Sequence, residues 1–329
     1  MTLKKLSSSS KNSLYQTQET RIGEYIFTSP FSRAICNNPE IFGVQYTDHL
    51  REACTLALLS LREANVIQLQ ETSTCVLNIL RGGLNFGLRE ALANAYAWNR
   101  HSSAFLSAQR EQDPKDPDCW YITENTYAKF ELDGTVSIIL GDVIATGSSL
   151  KFGLQKIIKW CQEHRTLVKN IVVFTIGGPR STEILSQISD ECRIHFVGFE
   201  KTILVYLEGI FYVPSPQDTY RLALSGTDLM RTNCLMAPEF EESQLESPFY
   251  PLERCTIYDA GSRAFHIEEY LNDVRHYWNQ VKALAEQGVT YESFTRERCP
   301  YVQEKGLLLD KDLFAIAKER LQRLPHPLT

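Results

Sequence analysis

The sequence predicts an α/β fold: a doubly wound, mainly parallel sheet followed by a C-terminal, mainly helical extension. Apolar runs such as Val136–Leu140 are continuous rather than alternating, as suits a strand covered on both faces. Between about residues 75 and 199 such runs alternate with stripes of helical spacing, the pattern of β-α units feeding a parallel sheet. Two of the strand-to-helix junctions consist of small residues, the chemistry of tight turns. A length of 329 residues allows about two domains, or one with a large extension.

Residues 1–20 read as a disordered polar tail, with a Ser7–Ser10 run and no apolar core of a signal peptide. Residues 21–221 form the expected α/β domain, and residues 222–329 the extension. Pro30 and Pro39 break residues 22–42 into short elements. Thr47 to Asn65 reads as a helix capped by Thr47 or Asp48, with Leu50, Ala53, Ala57, Leu58 and Leu61 on one face. A strand at 75–80 and a helix at 85–98 follow, the helix striped by Leu88, Leu92, Ala95 and Tyr96. Residues 103–108 read as a strand leading into a polar, proline-bearing stretch at 109–118, and two further strand-like runs at 120–128 and 130–135 meet the central strand. A long connection such as 110–134 is otherwise a surface loop, and such loops are usually functional or disordered. The central strand leads into a helix striped by Leu150, Leu154, Ile157, Ile158 and Cys161. A strand at 171–176, a helix at 181–188 and a strand at 194–199 come next, with His195 expected as a core histidine of that strand. Residues 203–213 read as a hairpin turning at Glu208-Gly209. In the extension, Leu271, Val274, Trp278 and Val281 form the apolar stripe of a helix at about 264–286.

The two small-residue turns carry the chemistry. Ala145, Thr146, Gly147, Ser148 and Ser149 place backbone amides and three hydroxyls at the start of a helix, where the free amides and the positive end of the dipole favour an anion. Asp142 stands just before this loop, placed to accept hydrogen bonds from sugar hydroxyls, so the implied ligand is a phosphorylated sugar. Earlier in the chain, Leu80-Arg81-Gly82-Gly83-Leu84 ends an apolar strand. Its glycines let amides close on an anion, and Arg81 adds a charged donor fork suited to phosphate. Either turn alone is as readily a plain connection or cap. The pair, in order and each between strand and helix, is far less readily explained as two plain connections.

Asp142-Val-Ile-Ala-Thr-Gly-Ser-Ser-Leu150 resembles the motif by which type I phosphoribosyltransferases bind phosphoribosyl pyrophosphate (PRPP), and Leu80–Leu84 resembles their pyrophosphate loop. The feel is closest to the uracil or hypoxanthine-guanine branches. The resemblance covers about residues 70–220 and implies transfer of ribose 5-phosphate from PRPP to a nitrogen acceptor, such as a nucleobase, with Mg²⁺ and release of pyrophosphate. Ala145–Ser149 then hold the 5′-phosphate, Arg81, Gly82 and Gly83 the pyrophosphate, and Asp142 and Arg81 take the catalytic roles. The segment 110–134 corresponds to a hood over the substrates. Tyr212 and Asp218 fall where the family places a base loop and a weak magnesium contact, with Asp259 in Asp-Ala-Gly-Ser-Arg263 a rival. The chain departs from the family at Gly141, which stands where the first acid of the motif pair belongs. That departure implies slow transfer or an unusual acceptor, or a PRPP- or nucleotide-sensing protein without catalysis. Gly141→Asp is expected to raise turnover if the strand end tolerates a side chain.

Composition limits the partners. A net charge of −6 argues against general binding to nucleic acid or an anionic membrane surface. Nine scattered cysteines without a Cys-x-x-Cys pair fit a reducing cytoplasm better than a disulfide framework or a zinc site. No apolar stretch has transmembrane length, and neither a Walker-type P-loop nor a Gly-x-Gly-x-x-Gly after a strand is present. The expected partners are PRPP and a small nitrogen acceptor, with a homodimer left open.

Overall fold

The computed structural model describes residues 3–9, 11–17, 21–80, 82–113, 116–124, 126–213, 229–246, 267–298 and 310–324. In chain order the elements are β1 (Lys4–Ser8), β2 (Ser13–Gln16), β3 (Gly23–Thr28), α1 (Pro30–Asn37), α2 (Gly43–Glu63) and β4 (Thr74–Leu80). A 3-10 turn, Gly82–Phe86, leads to α3 (Leu88–Tyr96) and β5 (Ser102–Ser107). Then come β6 (Gln109–Asp113), β7 (Asp116–Glu124), β8 (Ala128–Lys129), β9 (Thr135–Ile144) and α4 (Ser148–Glu163). They are followed by β10 (Leu167–Gly177), α5 (Arg180–His195), β11 (Lys201–Tyr212), β12 (Met230–Met236) and α6 (Pro238–Glu246). The described part ends with α7 (Ile267–Glu286), α8 (Tyr291–Arg298) and α9 (Leu313–Arg323).

Among the described residues, ten strands form one mixed sheet in the order β1-β2-β3-β11-β10-β9-β4-β5-β8, with β12 on β11. The six inner strands from β3 to β5 are mutually parallel; β1, β2 and β8 add antiparallel strands at the edges, and β12 pairs antiparallel with the end of β11, past β3. The central strands are buried along most of their length, which is why they read as unbroken apolar runs. The apolar stripes expected on α2 and α4 are buried in full: Leu50, Ala53, Ala57, Leu58 and Leu61 on one, Leu150, Leu154, Ile157, Ile158 and Cys161 on the other.

Several expectations need correction. Within residues 1–20, the polar segment is not all tail: β1 and β2 form an antiparallel hairpin that extends the sheet beyond β3. Ser13, Leu14 and Tyr15 are buried there, and the Glu239 carboxylate of α6 accepts hydrogen bonds from Ser13 Oγ at 2.7 Å and Tyr15 Oη at 2.8 Å. Helix α2 starts at Gly43, so Thr47 lies inside its first turns and donates to Val44 O instead of capping. No strand forms at 194–199. Helix α5 runs on to His195 because Ile188 and Cys192 continue its buried stripe, while His195, Ile194 and Val197 are exposed. Residues 203–213 are not a hairpin, since β11 passes straight through Glu208-Gly209.

The boundary expected at 221/222 does not coincide with a break in packing. Leu229, Met236, Ala237 and Phe240 belong to the main core, β12 having joined the sheet. A second apolar cluster gathers Tyr270, Leu271, Val274, Trp278, Val281, Tyr291, Phe294, Leu313 and Ile316 from α7, α8 and α9. It docks on the α1–α2 connection, where Tyr270 Oη donates to Pro39 O and Arg320 pairs with Glu40.

Candidate functional site

The strand order reverses between β4 and β9: from β4 the chain goes to β5 on one side, then returns to β9 on the other. In open parallel sheets that point, at the carboxyl ends of the strands, is where a crevice opens. Here β4 and β9 pair only from Thr74↔Ser137 to Val76↔Ile139 and splay beyond. The turn Gly82–Phe86 packs against both strands and floors the gap. Gly83 and Gly141 make this fit possible: a Cβ on Gly83 would lie 3.3 Å from the Gly141 carbonyl oxygen. A Cβ on Gly141 would overlap the Phe86 side chain, with contacts of 2.3, 2.5 and 2.7 Å. Gly83 of the first turn therefore lies against β9 at Gly141, next to Asp142 and four residues before the second turn begins.

On the β9 side the loop begins with Asp142, half-buried, whose Oδ1 accepts from the Val143 amide at 2.9 Å. Ala145 and Gly147 are buried, and the side chains of Thr146, Ser148 and Ser149 are partly exposed. Gly147 takes a left-handed conformation (φ +75°) as the residue before α4, and no side chain caps the helix there. That backbone requires glycine, and the space does too, since a Cβ would meet Ile184 at 2.3 Å. The N-terminus of this 16-residue helix, with Gly147 as its N-cap, thus follows directly on the end of β9 and carries the hydroxyls of Thr146, Ser148 and Ser149. Ser149 Oγ donates to Ala108 O at 3.3 Å and ties the loop to the end of β5, while Thr146 Oγ1 and Ser148 Oγ stand 3.4 Å apart.

On the β4 side, Gly82 O accepts from Asn85 Nδ2 at 3.2 Å, which holds the turn closed. Leu84 is exposed at the rim. Arg81, assigned to pyrophosphate, lies outside the described residues, as do Asp218 and Asp259. Tyr212 ends β11, and its amide donates to Cys234 Sγ at 2.9 Å. The connection expected as a hood contains the hairpin β6–β7, which forms a two-stranded sheet of its own and touches α4.

Among the described residues no cluster of three His, Cys, Asp or Glu side chains is placed to hold a metal. Asp142 offers a carboxylate just before the loop. No described helix is long and apolar enough to cross a membrane.

Sequence reasoning missed two features. One is Phe86, whose ring occupies the space beside Gly141. The other is Glu208, fully buried, whose carboxylate accepts from Thr28 Oγ1 at 2.6 Å, the Ser29 amide at 3.0 Å and Ser32 Oγ. A charged residue inside an apolar strand was the available signal, and it read instead as a turn.

No family model matches the chain, and no curated protein matches it. Among solved structures, a hypoxanthine phosphoribosyltransferase from Staphylococcus aureus is similar at 13% identity over 49% of this chain and 74% of that one, with a TM-score of 0.28. A hypoxanthine phosphoribosyltransferase from Trypanosoma cruzi, in a ternary substrates complex, is similar at 12% identity over 61% of this chain and 95% of that one, with a TM-score of 0.27. Likeness of this degree assigns neither a substrate nor a catalytic residue to this chain.

Proposed function

We propose that the crevice between β4 and β9 binds PRPP, and that the protein transfers its ribose 5-phosphate to a nitrogen acceptor of the nucleobase class, releasing pyrophosphate. The observation that supports this reading is that two phosphate-type turns follow the neighbouring strands β4 and β9 beyond the end of their pairing, Gly83 of the first lying against Gly141, beside Asp142. One is a helix start that carries hydroxyls and has no side-chain cap; the other is a glycine turn resting on the first strand's neighbour. Helices α1–α3 pack together and α4–α5 pack together, which supports a doubly wound arrangement with a helix group on each face and a carboxyl edge open to ligand.

In this reading the amides and hydroxyls of Ala145–Ser149 hold the 5′-phosphate and Asp142 accepts from the ribose hydroxyls. Arg81 with the Gly82 and Gly83 amides holds the pyrophosphate. Magnesium, bound through the ligand's own oxygens, would neutralise part of the pyrophosphate charge. Positive charge develops on the ribose as the glycosidic bond to pyrophosphate breaks, and fixed donors on the departing oxygens favour that step. The β6–β7 hairpin is suited to exclude water, which would otherwise capture the ribosyl cation.

A second reading is favoured by Gly141: binding without transfer. The aromatic ring beside Gly141 fills the position of the family's first acid, so only Asp142 remains to steady the ribose. One experiment separates the two. Purified protein is given PRPP, Mg²⁺ and a panel of nucleobases, and pyrophosphate release is followed beside calorimetric binding. Release with any base supports transfer; tight PRPP binding without release supports the second reading; absence of both overturns the assignment of the crevice. Arg81→Ala is expected to weaken PRPP far more than a nucleoside monophosphate, and equal losses would remove Arg81 from the pyrophosphate role.

A further inference from the structure

Glu208 stands in the left-handed backbone region at φ +69°, an uncommon place for a residue with a long side chain. It marks a bulge. Thr175 of β10 faces Tyr206 of β11, yet Gly177 faces Ile210, so β11 takes up two residues more than its neighbour. The bulge is held from two sides. The carboxylate is bonded to Thr28, Ser29 and Ser32 at the start of α1, and the Glu208 carbonyl accepts from the Ala237 amide at 2.9 Å. Arg33 is the charged group that bears on the carboxylate, and it also donates to Thr28 Oγ1 at 2.6 Å.

Beyond the bulge, the end of β11 reaches the candidate site through backbone contacts. A Cβ on Gly178 would lie 2.9 Å from Phe211 O and 3.1 Å from Val213 Cγ2, so the end of β11 rests on that glycine. The Gly178 amide donates to Ile144 O at 3.0 Å, and a Cβ on Gly177 would stand 2.5 Å from the same oxygen. Ile144 is the last residue of β9, immediately before the loop Ala145–Ser149. There is no side-chain slack in this series. A shift of β11 at Phe211 must be absorbed at Gly178 or passed to Ile144.

We propose that Glu208 is a positioning residue for the crevice: its latch onto α1 sets how far the end of β11 advances over Gly178, and so the spacing between the phosphate loop and Tyr212. The proposal rests on reading that crevice as the site of a phosphorylated sugar. A ligand that reaches from the loop to the end of β11 senses the spacing, and one confined to the loop does not.

The probes are ribose 5-phosphate, which needs only the loop, and uridine and inosine 5′-monophosphates, which extend beyond it. Calorimetry on wild type, Glu208→Ala and Glu208→Gln compares them. Glu208→Ala is expected to lose at least tenfold in affinity for a monophosphate and less than twofold for ribose 5-phosphate. Glu208→Gln, which keeps an acceptor of the same shape, is expected to recover most of the loss. Equal losses on both probes, or none in a folded Glu208→Ala protein, overturn the proposal. If Glu208→Ala does not fold, Thr28→Val combined with Ser32→Ala removes two donors from the other side and carries the same expectation. If wild type binds none of the probes, the reading of the crevice fails on its own. Hydrogen exchange then decides for Glu208: faster exchange at Gly178 and Ile210–Tyr212 in the donor-deleted protein upholds its positioning role, and unchanged protection there refutes it.

Discussion

Gly141 is where a single atom decides what the site can hold. A Cβ there would meet Phe86 carbons at 2.3 to 2.7 Å, well inside van der Waals contact, and Phe86 is buried with no room to retreat. The condition attached to Gly141→Asp, a strand end that tolerates a side chain, is therefore not met. Gly141→Ala is expected to cost about 1–3 kcal/mol by overpacking, and Gly141→Asp more, since its carboxylate would be forced against the ring. Urea unfolding checks this, and Phe86→Ala should make Gly141→Ala less harmful than it is alone. Glu208 makes a second prediction at this scale. Burial pushes its carboxyl up to about 7, against the opposing pull of Arg33 and the Ser32, Thr28 and Ser29 donors. The folded protein thus holds a proton that the unfolded chain, with its carboxyl near the ordinary value, has released. Stability from this group is complete below the ordinary carboxyl value and falls as pH rises towards 7. Thermal unfolding from pH 5 to 8 should show that decline, and Glu208→Gln should flatten it.

At the scale of elements, α4 links core to site: its buried stripe seats the helix while its N-terminus carries the hydroxyls of the loop. Leu154→Ala is expected to cost about 2–5 kcal/mol of stability in denaturant unfolding. Thr146→Val with Ser149→Ala should leave the fold intact and weaken a phosphate ligand by roughly 1–3 kcal/mol in calorimetry, by removing hydrogen bonds to a charged group. These elements were legible in the sequence because helix stripes and buried strands are local patterns, readable within ten to twenty residues. The illegible parts depend on partners far along the chain. Glu208-Gly209 has turn chemistry, and only the donors on α1 and the Ala237 amide reveal a strand that bulges instead of reversing. Ile194 and Val197 look like strand residues because they are β-branched, yet both are exposed at the end of a helix. The hairpin β1–β2 was hidden by its polarity, since marginal strands need only a few buried residues. In the site, the two turns could be read from their small residues; Phe86 beside Gly141 could not, because nothing in a strand's sequence tells which ring will lie against it.

Across the whole molecule, the second apolar cluster is fastened to the sheet domain by a buried ion pair. Arg320 is 1% exposed and its guanidinium meets Glu40 Oε2 at 2.5 Å. Burial pushes the Glu40 carboxyl up and the Arg320 guanidinium down, while each partner draws the other back towards its charged form. Removing one charge strands the other, so Arg320→Met is expected to cost about 3–5 kcal/mol, and Glu40→Met with Arg320→Met much less. Denaturant unfolding of the single and double variants measures both. The place of β3 in the sheet has a consequence in time. It lies between β2 and β11, and the Thr28–Glu208 bond closes a loop of 180 residues. During synthesis the N-terminal strands leave the ribosome long before their neighbour β11 exists. The segment from β4 to β10 can collapse on its own strands, whereas β1–β3 must wait with Ile26 and Phe27 uncovered. The N-terminal strands thus join the sheet only once β11 is made, and a chain stalled before residue 201 would carry an exposed apolar edge for chaperones to grip.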